Sequence, residues 1–198
     1  KNKQTTRSRD DQKRADDLVK RNFNADHPDQ LWVSDFTYIQ THSGWVYTAF
    51  IIDVFSRAIV GWKVSTRMNT DMVLDALEQA LHDRGMPKNV IHHSDRGVQY
   101  LSIRYTNRLE AANLRASVGT TGDSYDNALA ETVNGLYKTE VIEYLKADWQ
   151  GLADVQLATL NWVDWFNKKR VHSALGYVSP FEFEAMYYDK INPLGQVA

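Results

Sequence analysis

Residues 31–65 constrain the fold most, because three β-favouring runs follow one another with almost nothing between them. LWVSDFTYI (31–39) alternates and is rich in aromatic and β-branched residues, the pattern of a strand. THSG (41–44) has turn chemistry. WVYTAFIIDVF (45–55) is apolar enough to be a strand buried on both faces. Ser56 and Arg57 interrupt it, and AIVGWKVS (58–65) forms a third strand. Connections this short join antiparallel neighbours, so the chain opens its sheet with a meander.

The pattern then changes. In NTDMVLDALEQALHDRGMP, Asn69 or Thr70 can cap a helix whose Val73, Leu77 and Leu81 share one face, and Gly85 and Pro87 end it. NVIHHS (89–94) is a short apolar strand. VQYLSIRYTNRLEAANL (98–114) is a second helix, RASV (115–118) a fifth strand, and GTTGDSYDN (119–127) a loop rich in Gly and Asp. ALAETVNGLYKTEVIEYL (128–145) is a third helix, and residues 150–167 form a fourth that ends in Lys168, Lys169 and Arg170. No internal repeat is present. The order β-β-β-α-β-α-β-α-α requires helices on the faces of a mixed sheet. Five strands in that order suit a ribonuclease-H-like α/β fold.

A chain of 198 residues with 43% hydrophobic and 12% aromatic content can bury one full core. With no cysteine, disulfides, thiolate zinc sites and a cysteine nucleophile are excluded. No apolar run reaches membrane-spanning length and no secretory signal is visible, so a soluble cytoplasmic protein with no membrane partner is expected. The first residue is lysine, which suggests a fragment or processed product. Residues 1–22 hold eight Lys/Arg against four Asp, a net of +4, which leaves −6 for the rest of a chain whose total is −2. A basic arm therefore leads into an acidic body, either trailing in solvent or lying along phosphates. The expected division is an N-terminal arm or linker over 1–25, a core with a helical extension over 26–188, and a tail over 189–198.

Three acids sit where acids are unfavourable. Asp35 lies inside an aromatic strand, Asp95 ends the fourth strand, and Glu131 lies among Ala128, Leu129, Ala130 and Val133 on the third helix. In a mixed sheet the first and fourth strands can be neighbours, which would set Asp35 beside Asp95. The helix after the fifth strand could bring Glu131 over that edge. Three converging carboxylates repel one another and call for divalent cations, and oxygen-only ligands favour Mg²⁺ or Mn²⁺. Two such ions on shared carboxylates are a device for in-line phosphodiester chemistry.

The residues around these acids are similar to a known family. WVSDFTYI around Asp35, HSDRGVQY around Asp95, GDSYDNALAETVNGLYKTE around Glu131 and the closing segment NKKRVHSALGYVSPFEFE resemble the DDE transposases of bacterial insertion sequences, the group closest to retroviral integrases. The resemblance spans about residues 30–186. In that family 35 residues separate the second and third acids, as they separate Asp95 from Glu131 here, and a basic residue follows seven positions on, where this chain has Lys138. Seven residues are two helical turns, so Lys138 shares a face with Glu131. The resemblance implies a catalytic core that cleaves and joins DNA strands, with Asp35, Asp95 and Glu131 holding two Mg²⁺ or Mn²⁺ ions and Lys138 clamping DNA. It implies DNA partners, both transposon ends and target. It also implies assembly into a dimer or larger homo-oligomer in the bacterial cytoplasm, and an upstream helix-turn-helix region that this chain lacks unless residues 1–25 are its remnant. A hydrolytic nuclease of the same fold and a non-catalytic DNA-binding or assembly fragment are the alternatives.

Other candidates divide between chemistry and structure. His93 matches the motif and could bond to the site or to DNA, whereas alternation should turn His92 the other way. Asn127, one turn before Glu131, could touch DNA, as could Lys168, Lys169 and Arg170. Asp53 could be a fourth carboxylate but suits Arg57 or a turn amide better. Asp123 and Asp126 suit helix capping.

Overall fold

A computed structural model describes residues 15–20, 22–95, 97–119, 128–145 and 148–192. The expected meander is present. Strand β1 (Leu31–Thr41) pairs antiparallel with β2 (Gly44–Asp53), and β2 with β3 (Ile59–Ser65). Helix α1 (Thr70–Asp83) follows, capped by the Asn69 side chain, which accepts from the Met72 amide. Strand β4 (Ile91–Ser94) lies parallel to β1, and β5 (Arg115–Val118) parallel to β4, giving the mixed sheet order β3-β2-β1-β4-β5.

Each face of the sheet has its own core. Trp32, Ile51, Val60, Leu77, Leu81 and Tyr105 pack under α1 and α2 (Ile103–Ala111), while Val33, Phe50, Ile52, Tyr137, Trp162 and Phe166 pack under α3 (Ala128–Tyr137) and α4 (Leu152–Lys168). Strand β2 serves both layers, which is why its sequence is apolar without alternation. Gly61 allows the closest approach. A Cβ there would stand 2.3 Å from the Ala76 carbonyl oxygen and 2.9 Å from the Ala80 Cβ, so β3 and α1 touch through that missing atom.

Three elements depart from the expectation. Helix α2 begins only at Ile103, because Ser102 takes the cap position and accepts from the Tyr105 amide, while 98–101 are turns. The third helix keeps α geometry to Tyr137 and then widens into a π-helical segment, Lys138–Glu143. A fifth helix, α5 (Pro180–Ile191), was not expected within the closing motif. Ser179 and Glu182 form a reciprocal capping box at its start, with proline at the first turn. It is pinned to α1 by Arg84, which binds Asp29 at 2.9 Å and Glu184 at 2.5 Å. Residues 15–20 contain no helix. No helix among the described residues is long and apolar enough to cross a membrane.

Candidate active site

Strands β1 and β4 run side by side only as far as the Ser34–Ser94 pair. The next residue of each is Asp35 and Asp95, so the two acids leave adjacent parallel strands at the same level. Beyond that level β1 continues to Thr41 with β2 as its only strand neighbour among the described residues. The result is a notch at the carboxyl ends of β4 and β5, the place where open α/β sheets collect ligands.

Asp35 is half-buried and accepts from the Phe36 amide at 2.8 Å and from the Asn134 side-chain amide at 2.8 Å. Burial, with the negative charges of Asp95 and Glu131 adding to it, pushes its carboxyl up to about 6 against the pull of those two donors. Asp35 therefore feels the other two acids across the notch. Asp95 is exposed, and its carboxylate accepts from the Gly97 amide at 2.9 Å. A Cβ at Gly97 would lie 3.0 Å from that carboxylate oxygen, so glycine makes the tight exit possible. Glu131 stands exposed in the first turn of α3, where the helix N-terminus favours a negative charge.

Asn134 escaped the sequence reading. It lies one turn after Glu131 on the same helix and is 8% exposed. Through it α3 is tied to the carboxylate of β1. Its other amide atom, Oδ1, has no hydrogen-bond partner among the described residues. A polar residue in line with Glu131 and Lys138 was the available signal. Lys138 begins the π-helical segment, and its ammonium sits 5.0 Å from the centre of the Tyr38 ring. Tyr100 lies under the same notch, and burial together with Tyr105, Asp35 and Asp95 holds its hydroxyl in the protonated form.

The remaining candidates are placed elsewhere. His93 is 1% exposed, its Nδ1 2.9 Å from the Ser117 hydroxyl and its ring edge-on to Phe23, which packs it into the end of the sheet. His92 does face the other layer, under Tyr105, whose hydroxyl is 3.1 Å from its Nε2. Arg170 is held by Glu140 through bonds of 2.7 and 2.9 Å, and that carboxylate also accepts from the Trp162 indole. Arg170 thereby locks the C-terminal segment to the third helix. Lys168 pairs with Asp164 one turn back, Lys169 is exposed, and the neighbouring Asn167 bonds both backbone groups of Ile59. The basic cluster thus sits by β3, two strands away from β1. Asp53 is fully buried and accepts from the Ser56 and Asp29 amides and the Ser56 hydroxyl, a turn role as expected. Asn127, Asp123 and Asp126 lie outside the described residues.

The donor chemistry suits a hard divalent cation. Asp35, Asp95 and Glu131 bring carboxylate oxygens to the notch and Asn134 an amide oxygen, all hard donors. Among the described residues no three His, Asp or Glu side chains stand tightly enough to cage an ion as they are.

Known proteins resemble this chain in sequence and in fold. Two family models, each described as an integrase core domain, match residues 25–124 and 112–180. The chain is 57% identical over 177 residues to the transposase for insertion sequence element IS629 of Shigella sonnei, covering 89% of this chain and 59% of that protein. It is 38% identical over 172 residues to the transposase InsF for insertion sequence IS3A of Escherichia coli K12, covering 86% of this chain and 59% of that one. The chain therefore spans about 59% of the length of these relatives. Among solved structures, the HTLV-2 integrase catalytic core domain in complex with magnesium matches with a TM-score of 0.64 and 18% identity, covering 81% of this chain and 99% of that one. Retroviral integrase cores have the ribonuclease-H-like fold, and this chain shares it.

Proposed function

The chain belongs to the integrase core domain family shared with insertion-sequence transposases, and on that premise we propose that it is the catalytic core of a DDE transposase, a polynucleotidyl transferase that cleaves DNA strands and joins them to a target. One observation carries the reading. Asp35 and Asp95 leave adjacent parallel strands at one level, and the helix bearing Glu131 is hydrogen-bonded to Asp35 through Asn134.

Asp35, Asp95 and Glu131 would hold two Mg²⁺ or Mn²⁺ ions, which when bound make the attacking oxygen more nucleophilic and neutralise charge on the leaving oxygen. The protein's own groups do the rest. Asn134 fixes the Asp35 carboxylate and favours its ionised form. Gly97 lets the chain turn away so that Asp95 faces the notch. Lys138 attracts the phosphate backbone close to the acids. The open edge of β1 leaves room for a DNA strand. With water as the attacking group the outcome is a nick, and with a 3′-hydroxyl it is strand transfer. No covalent protein–DNA intermediate is required. The partners are DNA, both element ends and target, and a second copy of the chain in a dimer or larger assembly acting in the bacterial cytoplasm.

The test is Mn²⁺-dependent resolution of a branched DNA that mimics the strand-transfer product, run beside Glu131→Gln. Activity in the wild type that is lost in the variant is expected. Rejoined strands, rather than nicked ones alone, separate transesterification from simple hydrolysis. Equal activity in both proteins would overturn the proposal.

A further inference from the structure

Two aromatic rings beside the notch are left half in water. Tyr38 is 54% exposed and Trp45 49%, and they meet edge to face with centroids 5.3 Å apart. Tyr38 lies three residues beyond Asp35 on the part of β1 that β4 does not cover. The register sets Gln40 opposite Trp45 and Tyr38 opposite Tyr47, so both rings stand on the same face of the hairpin. Strand alternation turns that face away from Asp35, yet Lys138, from the helix on Asp35's side, crosses the open edge to reach the Tyr38 ring. The rings and the acids are therefore two sides of one exposed strand edge, bridged by a lysine.

Such a pair is poorly explained by folding. Aromatic rings contribute most when buried, and these two keep half their surface in solvent. Among the described residues Lys138 rests over a ring rather than on a carboxylate. An exposed cation–π contact is weak and readily exchanged for a phosphate. A nucleic acid strand offers both a phosphate for the ammonium and a flat base for the ring face that the ammonium leaves.

We propose that Tyr38 and Trp45, with Lys138, form a stacking platform for one unpaired DNA base flanking the scissile phosphate. Lys138 moves from the Tyr38 ring to the backbone phosphate, and the base of that nucleotide stacks on the freed aromatic surface. The platform holds the strand splayed at the notch and tolerates any base, because every base has a π-face. This inference rests on the transposase-core reading for the identity of the strand.

The experiment measures binding of the whole chain to a forked duplex carrying 2-aminopurine at the first unpaired position, with a fully paired duplex of the same sequence as control. The wild type is expected to prefer the fork and to quench the 2-aminopurine. Tyr38→Ala and Trp45→Ala each weaken fork binding by roughly fivefold to a hundredfold, the range of single-base stacking losses. Both leave paired-duplex binding within about twofold, and Tyr38→Phe and Trp45→Phe retain fork binding. Wild type that binds fork and duplex alike, alanine variants that bind the fork normally, or variants that lose both DNAs equally would each overturn the platform. Asp35→Asn, assayed for cleavage, tests the carboxylate reading separately. Cleavage that survives Asp35→Asn while Trp45→Ala loses fork binding sinks that reading and leaves a stacking site. The converse sinks the platform alone.

Discussion

Replacing Asn134 by leucine separates the support of Asp35 from the support of the fold. The Asn134 amide donates to the Asp35 carboxylate at 2.8 Å, and its Oδ1 is buried without a partner among the described residues. Leucine removes the donor but also removes that orphaned oxygen, and it keeps the branched shape of the side chain. The two effects oppose each other, so the stability change is expected to stay within about 1 kcal/mol. The effect on Asp35 has no such offset. A hydrogen bond to a charged group is worth roughly 1.5–3 kcal/mol, or about ten- to hundredfold in proton affinity. With its carboxyl at about 6, wild-type Asp35 is largely ionised at neutral pH. In Asn134→Leu the ionised share at pH 7 falls to between roughly a half and a tenth. A cation must displace that proton, so Mn²⁺ affinity should drop about two- to tenfold at pH 7 and recover by pH 9, where the carboxylate is ionised in both proteins. Titration calorimetry with Mn²⁺ at the two pH values reads this directly, and urea unfolding checks the stability. A loss of affinity of the same size at both pH values, or none at pH 7, would refute the argument that Asn134 acts by favouring the charged form of Asp35.

Two further outcomes follow from the packing. Gly61→Ala places a Cβ 2.3 Å from the Ala76 carbonyl oxygen, a backbone atom that cannot swing aside, so β3 and α1 must part. The expected cost is roughly 1–3 kcal/mol, seen as a fall in Tm of about 2–12 °C by calorimetry; an unchanged Tm would mean the contact is not tight. Burial, reinforced by the neighbouring charge of His93, pushes the His92 imidazole down to about 3 from an ordinary 6.5, so the folded state keeps it neutral. That stability is complete above 6.5 and is lost as pH falls from there toward 3, about 3 kcal/mol by pH 4. His92→Gln should flatten the difference between urea midpoints at pH 7 and pH 4, and an unchanged slope would assign the acid sensitivity to other groups.

What the sequence made legible is what periodicity carries. Alternation in 31–39 assigned β1 and turned His92 and His93 to opposite layers, and the helical repeat lined up Glu131 with Lys138. Turn chemistry assigned the meander, because connections of two and five residues bring the chain straight back on itself. The pairing of β1 with β4 was only a possibility, since the strands are separated by β2, β3 and α1 and nothing local fixes which one β4 joins. Helix α5 was legible in principle. Ser179, Pro180 and Glu182 are a start signal, but the motif containing them was read as a whole and not as an element.

What stayed hidden depends on contacts between residues far apart in the chain. Arg170 looks like a free cation at a helix end until Glu140, thirty residues earlier, is brought beneath it by the π-helical segment. His93 looks like a site residue until Ser117 of β5 crosses over it. In both cases a polar candidate is taken up by the fold. The groups left over are informative for the same reason. Asn134 is buried with one bond made, to Asp35, and one unmade, while Tyr38 and Trp45 remain wet beside an ammonium with no carboxylate partner among the described residues. A fold satisfies its buried polar groups and covers its rings wherever nothing else requires them. An unpartnered amide oxygen and two half-wet rings beside one strand edge, with three acids at one end of it, mark the surface where a polyanion with flat bases is expected to complete the structure.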